Sequence, residues 1–394
     1  MRKELAGELT EPGLDQAKAT LLIVDDTPAN LRLLSSILAD RGYQVRPVLD
    51  GQLALASVAA QPPDMVLLDI RMPEMSGYEV CERLKADPGT RDIPVIFLSA
   101  MDAVEDKVKA FAVGGVDYIT KPFQIEEVLA RVEAHLTLSR LREQLQRANS
   151  KMSRELELAG EVQRSFLPSR LPALDGWEIA VRLEPARETS GDFYDVRLLP
   201  GGKVSILVAD VVDKGVGAAL FMALIWVVIR TYAEEYPAQP ERVMSEVNRR
   251  LLDDTGAKQF ATVFYGVLDP SNGTLTYCNA GHPPALLARG AGQDSPQELG
   301  RTGLPIGLFD GALWDQVVVE LDHGNLLVAY TDGITEACDP EGAFFDEEGL
   351  HTSLRNHLGA TAQEIVDSVI ADVQHHAGSA PPADDMALLV VKRV

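Results

Sequence analysis

Cysteine is scarce here, with three in 394 residues. Cys81, Cys278 and Cys338 are scattered, odd in number and not in metal-ligand spacing. Such a set argues against a disulfide framework and fits a reducing compartment. Long apolar runs are lacking too, and none reaches the roughly 20 residues that span a bilayer. The start, Met1 to Asp15, is polar and of mixed charge, without the apolar centre of a signal peptide. The cytoplasm is therefore the expected location, with no membrane partner. Basic residues are in deficit: 36 Lys and Arg stand against 59 Asp and Glu, for a net charge of −23 at pH 7. A nucleic-acid partner is not expected, because phosphate backbones call for clustered Lys and Arg. No segment after Phe123 offers a helix-turn-helix with a basic face. Carboxylates are what the chain has in plenty, and some of them are available for divalent cations.

The length fits two or three domains. A hydrophobic fraction of 46% with 24% charged residues is that of a globular chain. After a tail over residues 1–18, read as disordered, residues 19–137 alternate short apolar runs with amphipathic stretches. The runs are TLLIV (20–24), VRPV (45–48), DMVLL (64–68), PVIFL (94–98) and DYI (117–119). Leu31, Leu34, Ile37 and Leu38 mark one intervening helix. Five strands separated by helices predict an α/β domain with a doubly wound, parallel five-stranded sheet. Ligands in such sheets bind beyond the carboxyl ends of the strands.

From about Gln124 to Phe166 there is no proline and one glycine, Gly160. Leu138, Leu141, Leu145, Ala148 and Met152 recur at spacings of three and four, and Leu156, Ala159, Val162 and Phe166 continue the stripe after one shift. This pattern predicts a long helix with a coiled-coil seam, over 138–168, slipping once near Met152. Left alone, that seam would hold its leucines in water, so a parallel homodimer through this linker helix is expected. Pro168 and Pro172 stop the helix. Residues 169–394 then turn β-rich: WEIAVRL, KVSILVAD, FATVFYGVL, TLTYCN, QVVVEL, NLLVAYTD and MALLVV, with helices at about 217–235, 241–254 and 362–376. Turns at Pro200-Gly201-Gly202 and Ser271-Asn272-Gly273 are short enough to make pairings antiparallel. An α+β domain is predicted.

Functional residues of the first domain fall at strand ends. Asp25 and Asp26 follow the first strand, Asp69 the third, Ser99 the fourth and Lys121-Pro122 the fifth. Three carboxylates brought together repel unless a cation joins them, and an all-oxygen set suits Mg²⁺. That ion would align a phosphoryl group with Asp69 as nucleophile, while Lys121 and the Ser99 hydroxyl bind phosphoryl oxygens. A cis peptide before Pro122 fits a lysine held at a tight turn. LLIVDD (21–26), LLDIRMPEMSG (67–77), LSA (98–100) and YITKPF (118–123) resemble the CheY-like receiver domain of response regulators. The resemblance implies phosphorylation of Asp69 by a cognate histidine kinase. It also implies metal ligation by Asp25, Asp26, Asp69 and the Arg71 carbonyl, and a switch in which Ser99, Tyr118 and Lys121 report phosphorylation.

Carboxylates end strands again in the second domain: Asp192, Asp210, Asp332, and the Asp384-Asp385 pair ahead of the last strand. Histidine and cysteine are absent from these positions, which selects Mg²⁺ or Mn²⁺ over zinc. Two such ions sharing an aspartate are suited to phosphate-ester hydrolysis. AGEVQRSFLP (159–168), SGDFYD (190–195), VADVVDKGVGAALFMA (208–223), CNAGHPP (278–284), YTDGITEA (330–337) and ADDMALLVV (383–391) resemble the PPM family of metal-dependent phosphatases, in its SpoIIE-like branch. The resemblance implies a β-sandwich flanked by helices and two bound metals. Asp210 would bridge them, with the Val211 carbonyl on one metal and Asp332 and Asp384 on the other, and Asp192 would reach a metal through a water. Substrates implied are phosphoserine or phosphothreonine on an anti-anti-sigma protein of the STAS type. Arg187 and Lys214 are candidates for gripping phosphate. His282, followed by two prolines, is read as ordering a turn. The stripe Phe221, Met222, Leu224, Ile225 and Val228 is read as core, on a helix placed to move the metal ligands. The expected function is a receiver-controlled protein-serine/threonine phosphatase, with a non-catalytic, phosphorylation-controlled adaptor as the alternative.

Overall fold

The computed structural model describes residues 17–99, 104–255, 259–289 and 295–394. Residues 1–16 of the expected disordered tail lie outside the described residues, as does Ala100 of the LSA motif. The chain divides into two compact units, one up to Ser150 and the other Lys151–Val394.

The first unit runs β1 (Thr20–Val24), α1 (Pro28–Ala39), β2 (Gln44–Val48), α2 (Gly51–Ala60), β3 (Met65–Asp69), α3 (Gly77–Ala86), β4 (Val95–Ser99), α4 (Val104–Ala112), β5 (Asp117–Thr120) and the start of α5 (Ile125–Phe166). Its sheet has the order β2-β1-β3-β4-β5, and every pairing is parallel. Strands covered on both faces read as unbroken apolar runs, and alternation decides which face each residue serves. Leu21, Ile23, Met65, Leu67, Ile96 and Leu98 pack with Leu31, Leu34 and Leu38 of α1 and Val128, Val132 and Leu136 of α5. Their alternates, Leu22, Val24, Val66, Leu68, Val95 and Phe97, pack with Val80, Cys81 and Leu84 of α3 on the other face. This is the doubly wound arrangement that the sequence predicts.

In the second unit, two antiparallel sheets are built from β6 (Trp177–Glu184), β7 (Phe193–Leu198), β8 (Val204–Val211), β9 (Ala261–Asp269), β10 (Thr274–Ala280), β11 (Ala285–Arg289), β12 (Gln297–Leu299), β13 (Val317–Glu320), β14 (Asn325–Tyr330) and β15 (Met386–Arg393). Their orders are β13-β10-β9-β8-β7 and β12-β11-β14-β15-β6. Val204, Ile206 and Val208 of β8 meet Ala387, Leu389 and Val391 of β15 in the space between the sheets. The outward set Leu207, Ala209 and Val211 packs on α6 (Val216–Glu235) and α7 (Pro240–Thr255), together with buried Phe221, Met222, Ile225 and Val228. Leu388 and Val390 of β15 pack on α9 (Asp346–His357) and α10 (Ala362–Ala377). A short turn of helix, α8 (Asp332–Thr335), follows β14. The sandwich between helical layers agrees with the fold expected.

Two sequence expectations need revision. α6 is, by length and composition, long and apolar enough to cross a membrane, contrary to the reading that no such run exists. Its apolarity has a local cause, since the face bearing Phe221, Met222, Ile225 and Ile229 is core. In α5, Val162 is 59% exposed whereas Gly160 and Gln163 are buried. The stripe therefore turns there: a Cβ on Gly160 would lie 2.0 Å from the Glu188 carbonyl oxygen, so a bare helix face is what lets the 188–190 loop approach.

Candidate functional sites

Parallel pairing of β1, β3, β4 and β5 brings their carboxyl ends to one edge, and the first acidic group lies there. One ligand atom from each of Asp25, Asp26 and Asp69 falls within 4.8 Å of the others. Asp25 and Asp69 are buried and Asp26 is exposed. The Lys121 amine sits 2.7 Å from Asp25 Oδ2 and 2.7 Å from Asp69 Oδ2, behind a cis Lys121-Pro122 bond. Asp25 Oδ1 also accepts from the Thr27 N–H at 2.9 Å and the Asn30 amide at 3.0 Å. Burial raises the Asp69 carboxyl above its usual range against the opposing pull of Lys121, and the Asp25 charge adds to the rise. Burial pulls Lys121 down, but its hydrogen bonds to Asp25 and Asp69 win and its net shift is upward. Three carboxylates and one ammonium leave an excess of negative charge, which fits a hard cation held by oxygen ligands. A Cβ on Gly77 would meet the Asp69 carbonyl oxygen at 2.2 Å, so glycine is what allows α3 to start against the site.

The Arg71 N–H lies 3.5 Å from Asp69 Oδ1. Ser99 is buried at the end of β4, and its carbonyl accepts from the Lys121 N–H at 2.7 Å. Tyr118 is half-buried, with Phe111 edge-on at 6.2 Å and the Lys107 amine 4.6 Å from its ring centre.

Antiparallel pairing assembles the second group. In the β7–β8 hairpin Phe193 faces Ala209, so the start of β7 meets the end of β8 and sets Asp192 beside Asp210. In the β14–β15 pair Tyr330 faces Leu388, which sets Asp332 beside Asp384. Thr331 fastens that pair: its N–H donates to the Ala387 carbonyl at 3.0 Å and its Oγ accepts from the Ala387 N–H at 2.8 Å. Asp385 joins the two sheets. Its Oδ1 accepts from the Ala186 N–H at 2.7 Å and its Oδ2 from the Gly191 N–H at 2.8 Å. Glycine is again demanded by close approach, since a Cβ on Gly333 would sit 1.9 Å from the Asp385 carbonyl oxygen.

Electrostatics show that the four carboxylates act on one another. Burial, then the Asp210 charge, drives Asp192 well above the usual carboxylate range. Burial, then Asp332, pushes Asp210 up to about 6. Burial, then Asp384, raises Asp332. Asp192 Oδ2 is buried and has no hydrogen-bond partner. A buried acceptor without a donor, among carboxylates that raise each other, is the environment a cation would relieve. The spacing is looser than in the first group, because Asp25, Asp26 and Asp69 are the trio that meets within 4.8 Å among the described residues.

Lys214 sits on Asp384, with its amine 2.9 Å from Oδ2 and 2.9 Å from the Ala383 carbonyl. Arg187 is exposed. Val211 ends β8, opposite Ala261. His282 is wholly buried: Nδ1 is 2.9 Å from Thr262 Oγ, its N–H donates to Asn279 Oδ1 at 2.8 Å, and burial pushes it down to about 3. It is a neutral group of the turn. Sequence reasoning gave no role to Asp385, although the Asp384-Asp385 doublet was its visible signal. It also gave none to Gln163, whose carboxamide exchanges two hydrogen bonds with the Ser190 backbone next to Gly191 and Asp192.

A family model for the response regulator receiver domain matches residues 21–133, and one for stage II sporulation protein E matches residues 200–394. The chain is 34% identical over 266 residues to protein IcfG of Synechocystis sp., covering 61% of this chain and 41% of that one. It is 29% identical over 245 residues to the phosphoserine phosphatase RsbU of Bacillus subtilis, covering 61% and 70%. The SiaA-PP2C domain of Pseudomonas aeruginosa aligns in structure with a TM-score of 0.57 at 23% identity, over 62% of this chain and 98% of that one, a likeness of fold. The chain spans less than half the length of IcfG.

Proposed function

We propose, from a receiver domain matched over residues 21–133 followed by a SpoIIE domain matched over 200–394 on a PP2C-like fold, that phosphorylation of Asp69 controls metal-dependent hydrolysis of phosphoserine or phosphothreonine on a protein. The observation that supports this reading most is the meeting of Asp192, Asp210, Asp332 and Asp384 through the β7–β8 hairpin, the antiparallel β14–β15 pair and the Asp385 brace.

In the receiver, over 19–137, Asp25, Asp26, Asp69 and the Arg71 carbonyl would hold Mg²⁺. Lys121, which lies 2.7 Å from Asp69, would take a phosphoryl oxygen, and Ser99 and Tyr118 would report the new charge. A histidine kinase is the expected phosphoryl source. In the phosphatase domain, over 169–394, Asp210, the Val211 carbonyl, Asp332, Asp384 and Asp192 would hold two Mg²⁺ or Mn²⁺ ions. Bound ions of this kind supply Lewis acidity at phosphoryl oxygens and a reactive hydroxide at neutral pH. The chain's own part is orientation. Asp385 fixes the loop that carries Asp192, Thr331 fixes Asp332, and Lys214 offsets the charge of Asp384.

The RsbU likeness supports phosphoserine as substrate, and a STAS-type regulator is the protein class we propose. The seam over 138–168 is proposed to pair two copies, and the cytoplasm is the proposed location. Turnover of a phosphoserine peptide by the purified full chain with Mn²⁺ tests the activity. Asp210→Asn should lower kcat by at least about a hundredfold, the scale seen when a group acting on the reacting atoms is removed. Full activity in that variant would end the metal assignment.

A further inference from the structure

Beside the carboxylates lies a cavity of about 370 Å³ that the proposed reaction does not use. It shares Lys214, Gly333 and Asp384 with the acidic site, and the rest of its wall is different in kind. Phe344, Val373, Ala377, Pro381, Pro382 and Met386 make it largely apolar. Its acidic members are Glu184, Glu336 and Asp384, and Lys214, its one basic member, is bound to Asp384. The volume is at the low end of the roughly 300–1,000 Å³ of small-ligand pockets, the scale of a side chain rather than a folded partner. Phe344 is 57% exposed there, an aromatic surface that water covers in the free protein.

We infer that this cavity receives an apolar side chain of the substrate polypeptide, next to the phosphorylated residue. The inference rests on the phosphatase reading and adds to it a sequence preference. Continuity supports it: a phosphoryl group seated over Asp210, Asp332 and Asp384 leaves its peptide passing the wall formed by Lys214, Gly333 and Asp384. Charge supports it as well. Glu184 is already held by Arg182 at 2.9 Å, so the charge of the wall rests on Glu336 and Asp384 against Lys214; that excess of carboxylate disfavours acidic neighbours of the phosphoserine, while the apolar lining gains from a leucine-sized group.

The test uses full-length protein with Mn²⁺ and three substrates: a phosphoserine peptide flanked by leucines, the same peptide with glutamates in their place, and p-nitrophenyl phosphate. The leucine peptide should show a kcat/KM about tenfold or more above the glutamate peptide, the range that pocket contacts supply. Ala377→Trp, which fills the cavity, should remove that preference through KM and leave p-nitrophenyl phosphate turnover within about twofold. Chemistry at Cys338 gives an independent arm. It lines the cavity and is partly exposed, while Cys81 and Cys278 are buried, so N-ethylmaleimide should act there. Alkylation should reproduce the Ala377→Trp effect, and Cys338→Ala protein should resist it. Equal kcat/KM on both peptides, or a parallel loss on p-nitrophenyl phosphate after filling, overturns the inference. Silence of the wild type on all three substrates overturns the phosphatase reading beneath it.

Discussion

Asp385 stands next to a proposed metal ligand and does different work. Both of its oxygens take backbone N–H groups, from Ala186 and from Gly191, and Gly191 adjoins Asp192. Replacing it with alanine strands two donors, at a cost on the order of 2–4 kcal/mol. Asp385→Ala should therefore lower the Tm of this domain and weaken Mn²⁺ binding together. Thermal melts with and without Mn²⁺ check this, and an unchanged Tm would show that the brace is dispensable. The titration of Asp210 gives a second residue-scale prediction. Its folded-state value of about 6 lies above the ordinary 3.8, so in metal-free protein the neutral acid persists up to about pH 6. Stability from this group is full below the ordinary value and is lost as pH rises through about 6. Metal-stripped protein should lose Tm across that window, and Asp210→Asn should flatten the loss. A metal-free melt with the same pH slope in both proteins contradicts it. Sequence alone shows these aspartates at strand ends; which oxygen braces a loop and which stays unpartnered depends on pairings between segments far apart in the chain.

Elements differ in how far the sequence reveals them. β1, β3 and β4 are legible because both faces are covered and their runs are apolar throughout. β7 is not, since Asp195 and Arg197 interrupt its pattern. Asp195 is nevertheless buried, because Arg230 of α6 grips it with two bonds of 2.7 and 2.6 Å and itself stacks 3.7 Å from the Trp226 ring. A partner 35 residues away makes a charged position an interior one. The three-residue β12 escapes notice through its brevity, and β11 because its run Ala-Leu-Leu-Ala-Arg has no β-branched or aromatic residue. In α5 the periodicity is visible but its meaning changes along the helix. Val128, Val132 and Leu136 are core, whereas Leu138, Leu141 and Leu145 are 60%, 56% and 62% exposed. Such an exposed row is what the proposed pairing of two copies would cover. Replacing Leu141 and Leu145 with lysine should turn a dimer into a monomer in sedimentation velocity while leaving the receiver folded. A wild-type chain that sediments as a monomer at micromolar concentration would contradict the pairing.

At the scale of the molecule, two acidic sites occur in one chain. The first is a tight trio with its lysine in place; the second is a looser set drawn from two sheets. The two-part organisation was legible because each motif ends a strand, and the family models meet both parts. Communication between them is not a property of either motif, and the proposed control by the receiver would make the chain a regulator rather than two activities in series. Allosteric couplings of about 1–3 kcal/mol change rates or affinities by about 5–150-fold. Turnover of a phosphoserine peptide by full-length protein, with and without a small-molecule phosphoryl donor, in wild type and Asp69→Asn, measures it. A change of at least about fivefold in the wild type that is absent from Asp69→Asn is predicted; equal rates in the wild type with and without the donor would contradict receiver control.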